Sequence, residues 1–175
     1  MYRTDALTTE VSMSNYISLT GTVTQIQPFA DNSTNYGCTL IFTVRGTAQG
    51  EVQFTVNGNT YVPDNVPFNS GDRVTFFYDG NAPVPLIYPP RYTAVVAAPA
   101  DQFQYYLGEF YNSFISTDGQ IQINKSNSPL PMYLPNGQVY SGALAGKTVL
   151  VEYTTSTRSI PAIIQPRRIT VFCYQ

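Results

Sequence analysis

The stretch Gly146-Lys-Thr-Val-Leu-Val-Glu-Tyr153, with its continuation Pro161-Ala-Ile-Ile-Gln-Pro-Arg-Arg-Ile-Thr-Val171, occurs twice in the chain in recognisable form. Gly146, Val149 and Tyr153 repeat Gly71, Val74 and Tyr78 at the same spacing. After one extra residue, Pro161, Ile163, Pro166, Arg167 and Val171 repeat Pro85, Ile87, Pro90, Arg91 and Val95. Upstream, Gly119-Gln-Ile-Gln-Ile123 reads like Gly50-Glu-Val-Gln-Phe54. Self-similarity over this length, in segments rich in alternating β-branched and aromatic residues, predicts two tandem β-rich units.

Composition agrees with a folded all-β chain. The 175 residues divide between the two copies, and units this small bury only ~60–65% of their unfolded surface, so contact between the copies would help both. Charged residues are 11% of the chain, against ~25% in an average soluble protein. There are 14 Tyr and no Trp, so the surface is polar but mostly uncharged. A net charge of −2 argues against duplex DNA as a partner, which needs a basic field to neutralise phosphates. A single-strand binder with a local basic groove stays open. No apolar run approaches ~18 residues, so no membrane span is expected. Met1-Tyr-Arg-Thr-Asp-Ala-Leu7 has no apolar signal core, so no secretory signal is expected; the location is unknown, with the cytoplasm as the default and export by another route as the alternative. Cys38 and Cys173 occupy different places in the two copies, so both are expected as buried free thiols rather than a repeated disulfide framework, with a bridge between the two domains as the alternative. The sequons at Asn32 and Asn124 carry little weight without an export signal.

The expected domain boundaries follow the repeat. Residues 1–14 form an N-terminal arm, with Met13 as an alternative start. The first β-domain spans 15–98, a short linker 99–102, and the second β-domain 103–175. In the first copy the strands are expected from Tyr16, over Tyr36–Arg45, Glu51–Val56, Arg73–Asp79 and Arg91–Ala97. Gly21 interrupts the long first strand and predicts a bend. Val74, Phe76 and Tyr78 should face inward with Thr75 exposed, and Val149, Val151 and Tyr153 should match them with Glu152 exposed. The second copy should run Phe103–Phe114, Gln120–Asn124, Thr148–Thr154 and Arg168–Tyr174. It is shorter at the front, where Gly108 precedes Gly119 by 11 positions while Gly21 precedes Gly50 by 29.

Five strands, a bent first strand and a long third-to-fourth connection resemble the OB-fold. The resemblance implies two small Greek-key barrels, the second shortened. A two-sheet β-sandwich is the alternative.

The chain has no His, which removes the usual general base near neutral pH and imidazole metal sites, and two scattered Cys cannot make a structural zinc site. No cofactor or metal is expected. A paired-carboxylate glycosidase would use Glu152 with Glu109 or Asp118, but a solvated strand face explains Glu152 more simply. The candidate binding residues are Arg91, Arg167 and Arg168, which follow Pro-rich loops, with Tyr88 and Tyr92 beside the first and Arg158 in the second. They could clamp an anion or guard an edge strand. The first functional expectation is a non-catalytic binding or assembly module that meets protein or glycan through its Tyr-rich surface, with homo-oligomers through β edges. Single-stranded nucleic acid binding on tandem barrels comes second, and a carbohydrate-active enzyme third.

Overall fold

The computed structural model describes residues 15–30, 34–126 and 129–173; the N-terminal arm and Met13 lie outside them. The chain forms two strongly curled β-sheets, each a half-barrel, and the described residues contain no α-helix.

The first sheet contains β1 (Tyr16–Pro28), β2 (Thr39–Thr47), β3 (Gly50–Asn57), β4 (Arg73–Asp79), β5 (Arg91–Thr93) and β6 (Val96–Pro99), in the order β5-β3-β2-β1-β4-β6. The curl is written into β1. Its first half pairs with β4 and its second half with β2, and a register irregularity lies between Val23 and Gln25. Gly21 sits where a Cβ would meet the Arg45 carbonyl oxygen at 2.5 Å, so only glycine lets the backbones approach this closely. Alternate side chains of β1 to β4 then point into one core. Phe54 stacks on Phe76 at 4.2 Å, surrounded by Leu19, Val23, Val44, Val52 and Val74.

The second sheet contains β7 (Gln104–Glu109), β8 (Ile121–Ile123), β10 (Thr148–Ser156) and β11 (Ala162–Phe172) in the order β7-β10-β11-β8, and β9 (Met132–Tyr133) pairs with β11. Val149, Val151, Tyr153, Ile164, Ile169 and Val171 make its core with Phe110 and Ile123. Where the first sheet has β2, the second has, among the described residues, the isolated bridges Phe110–Ser116 and Ile115–Gln122.

The pairings fix how the copies correspond. Val74 faces Gly21 and Val149 faces Gly108, so β1-β4 and β7-β10 are equivalent. Gln53 pairs in parallel with Arg91 and Gln122 with Ile163; Val74 pairs with Pro99 and Val149 with Val171. Both relations give a shift of 72 residues over the last strand, whereas matching Arg91 to Arg167 and Val95 to Val171 implies 76. The identities that end the sequence repeat are therefore four residues out of structural step. Similar Pro and Arg residues flank both turns, and this made the wrong alignment look right. β11 accordingly begins at Ala162 rather than Arg168, and the predicted Arg91–Ala97 strand is split into β5 and β6 around Ala94 and Val95.

Thr75 and Glu152, expected on exposed faces, are buried. They do point away from their cores, but those outer faces are covered. Phe77, Val96 and Ala98 of the first sheet pack with Leu107 and Leu150 of the second in a third apolar cluster. Thr75 shares a 2.8 Å hydroxyl–hydroxyl hydrogen bond with Thr20. The two curled sheets thus join along their outer faces, and each hides part of the other's surface.

Candidate functional site

One charged network lies at this junction. On the outer face of β10, two residues beyond Leu150, the Glu152 side chain is 1% exposed. Across the β10–β11 pairing it faces Arg168. The Arg168 Nε donates to Glu152 Oε2 at 2.7 Å and its Nη2 to Oε1 at 3.2 Å, while Arg167 Nη1 donates to Oε1 at 2.9 Å. Arg168 also reaches the first sheet: Nη1 and Nη2 donate to Asp64 Oδ1 and Oδ2 at 2.9 and 3.1 Å. A planar guanidinium fits two carboxylates at once, and Lys could not make this set of contacts.

Asp64 is held in place by its backbone. The 3-10 turn Pro63–Asn65 places Asp64 at φ 62° and Asn65 at φ 51°, left-handed conformations that Asp and Asn tolerate better than most residues. The Arg168 hydrogen bonds hold the Asp64 carboxyl below its ordinary range. Burial opposes the charge of Arg168, but Asp64 and Glu152 more than offset it and raise its pKa. Beside them, burial and then the Glu152 charge push the Tyr105 hydroxyl up to about 12. That hydroxyl donates to the Pro99 carbonyl at 2.6 Å. Arg167 lies over the Phe103 ring at 4.3 Å.

Two cavities flank the network. The larger, ≈ 480 Å³, runs between the sheets past Tyr61, Asn65, Tyr133, Asn136 and the two arginines. The other, ≈ 350 Å³, is bounded by Pro63, Phe103, Tyr105, Glu152 and Arg167. A further cavity of ≈ 340 Å³ lies where Leu134, Pro135 and Asn136 meet Phe172 and Cys173 at the end of β11.

The sequence-expected binding residues do not gather at one place. Arg167 and Arg168 line the junction. Arg91 is in the first sheet, where Nε and Nη2 donate to Gln53 Oε1 at 3.1 and 2.9 Å and the guanidinium lies 5.7 Å from the Phe29 ring centroid. Tyr92 stacks on Tyr78 at 3.9 Å and donates to Gln49 at 2.6 Å, so it completes the core more than it presents a surface. Arg91 and Tyr92 line a separate cavity of ≈ 170 Å³. Arg158 is exposed in the β10–β11 turn. Tyr88 is 87% exposed on the loop before β5, next to exposed Val84, Ile87 and a fully exposed Leu86. Ile160, 81% exposed, caps the corresponding β10–β11 turn. A cis X-Pro bond occurs in each of these loops, Tyr88–Pro89 and Ile160–Pro161.

In the sequence Tyr61 reads as an apolar anchor of the irregular segment 59–70 and Asp64 as an ordinary turn residue, and nothing there singles out Asn65; none of the three carries a spacing signal for this junction. Cys38 and Cys173 are free thiols, as expected, but both are exposed at the ends of their strands rather than buried. Asp118, a candidate partner of Glu152, is bound instead by Ser116 at 2.6 Å and Tyr106 at 2.8 Å. Among the described residues no cluster of three or more His, Cys, Asp or Glu is placed to hold a metal ion. No family model matches the chain, and neither a curated protein nor a solved structure matches it.

Proposed function

We propose that the protein is a non-catalytic assembly module that joins copies of itself, and that each curled sheet is an OB-type barrel. The barrel reading rests on β5 and β6, which follow each other closely and pair with β3 in parallel and with β4 antiparallel, so the ends of the first sheet approach through one bent segment. The assembly reading rests on the loop Asn81–Pro90. It has no charged residue, and four large apolar side chains, Val84, Leu86, Ile87 and Tyr88, stand exposed along it. Exposed apolar surface concentrated in this way marks interaction sites.

Pro83, Pro85, Pro89 and Pro90 restrict the loop backbone, so docking orders little that is free. Burying one such Leu or aromatic side chain contributes about 1.5–3 kcal/mol. The complementary surface is the uncharged cavity lined by Leu134, Phe172 and Cys173, large enough to take the Leu86 tip. A loop on one sheet entering a cavity on the other sheet of a second copy is a head-to-tail contact, which extends unless it closes into a ring.

The non-catalytic part of the reading is supported by Glu152. Its two oxygens accept three hydrogen bonds from guanidinium groups, which leaves it poorly placed to exchange protons with a substrate. Sedimentation velocity over a range of concentrations tests the assembly. The wild type should form species larger than a monomer, and Leu86→Asp should return it to a monomer with an unchanged melting temperature. A wild-type protein that stays monomeric at the highest concentration would refute the proposal.

A further inference from the structure

We infer that the groove between the two sheets is a binding site for a neutral glycan. The groove wall carries Arg167, Arg168 and Asp64, and Glu152 lies directly behind the arginines, bonded to both. Two cations are matched by two anions in one hydrogen-bonded network. The groove therefore has charged, directional groups but no surplus positive charge for a phosphate or sulfate. A ligand with many hydroxyls and no charge suits such a wall, because each hydroxyl can both donate and accept.

The remaining lining fits the same class. Tyr61 and Tyr133 bring partly exposed aromatic rings from opposite sheets, and the apolar faces of sugar rings pack on such surfaces. Among the described residues the Tyr133 hydroxyl and the Asn65 side-chain amide have no hydrogen-bond partner. Asn136 uses its Oδ1 for the Gln138 backbone N–H at 3.2 Å, and its amide nitrogen remains for a ligand. A volume of ≈ 480 Å³ falls within the ~300–1,000 Å³ typical of ligand pockets, which favour boundaries between structural units.

The wall is also pre-organised. Asp64 is fixed by its left-handed turn and by Arg168, and Arg168 by Glu152, so binding need not order these side chains. Asn65, next to Asp64 in the same turn, is set at the rim with it. The groove shares Leu134, Pro135 and Asn136 with the proposed receiving cavity, and the Tyr61 ring packs edge-on against Phe172, so glycan binding has to be measured where self-association is removed.

The test uses the Leu86→Asp protein, so that self-association does not interfere. Neutral hexasaccharides of glucose, N-acetylglucosamine, xylose and mannose are titrated by calorimetry, with a heparin-derived hexasaccharide as the anionic arm. At least one neutral saccharide should bind saturably, with an affinity that added salt leaves unchanged. Tyr133→Ala and Asn136→Ala should each weaken it about tenfold, the loss expected for one polar contact. Asn136 lies in an exposed turn, so its variant should keep the wild-type melting temperature even if Tyr133→Ala does not fold. Absence of saturable binding across the neutral panel would overturn the inference. So would binding confined to the heparin fragment and lost in salt, or neutral binding that neither variant weakens.

Discussion

Glu152 and Arg168 face each other across β10 and β11 at the register position that Phe77 and Val96 occupy across β4 and β6. One copy of the repeat places an apolar pair on its outer face, and the other places an ion pair there. Both pairs are at the junction of the sheets, where Phe77 and Val96 pack against Leu107 and Leu150.

The substitution pattern predicts the energetics of the ion pair. Removing one member leaves a buried charge short of partners, so Glu152→Ala should destabilise by about 3–5 kcal/mol. Replacing both with apolar residues, Glu152→Leu with Arg168→Val, should come within about 1 kcal/mol of wild type or exceed it, as buried pairs often do. Urea unfolding of the three proteins checks this. A double variant less stable than Glu152→Ala would show that the pair contributes more than its neutral replacement.

Tyr105 predicts behaviour in alkali. Its folded pKa of about 12 lies above the unfolded value near 10, so the folded state retains the proton longer. The stabilisation is fully present below pH ~10 and is lost as pH rises through the folded pKa. Tyr105→Phe, which has no such proton to lose, should lose less stability than wild type over that window. Melting curves recorded at increasing pH measure the difference, and parallel losses in both proteins would exclude Tyr105 as the cause.

Both thiols should react in the folded state, since Cys38 and Cys173 are free and exposed. Ellman's reagent should modify two thiols per chain without denaturant, and a reducing agent should leave the melting temperature unchanged. Two thiols that react only after unfolding would contradict their placement.

Oligonucleotide binding should be weak. Of the cluster Arg158, Arg167 and Arg168, the last two are committed to Glu152 and Asp64. A single-strand binder that contacts several phosphates needs as many uncommitted cations on one face. A labelled single strand should show no appreciable binding at physiological salt, and sub-micromolar affinity there would favour nucleic-acid binding over assembly.

Much of the first sheet was legible in the sequence. Alternation in Ile17–Val23 and Arg73–Asp79, with turns at Asn57-Gly58 and Asp79-Gly80, located β1, β3 and β4, and the inward set Val74, Phe76 and Tyr78 is buried. The hidden outer face had a signal that period-2 reading passes over. Phe76-Phe77 and Val149-Leu150-Val151 are apolar at consecutive positions, which is how a strand covered on both faces reads. Taken that way, Leu150 would have marked the face of Glu152 as buried. The register of the last strand was not recoverable from residue identities, because backbone pairing fixes it and the repeated Pro and Arg residues lie four positions out of step. Asp64 read as a turn residue, and nothing in the sequence linked it to Arg168. Its partner Arg168 is 104 residues away, and only the meeting of two outer faces brings them together.

The contact between copies can be read most directly by thiol trapping. In a Cys38→Ser background, Leu86→Cys places a sulfur at the loop tip, and the natural Cys173 lies at the mouth of the proposed receiving cavity. Under mild oxidation, non-reducing gels should show covalent dimers and higher multimers, and these should disappear when Cys173→Ser is added. Multimers that persist without Cys173, or a chain that stays monomeric under oxidation, would contradict head-to-tail assembly through this loop.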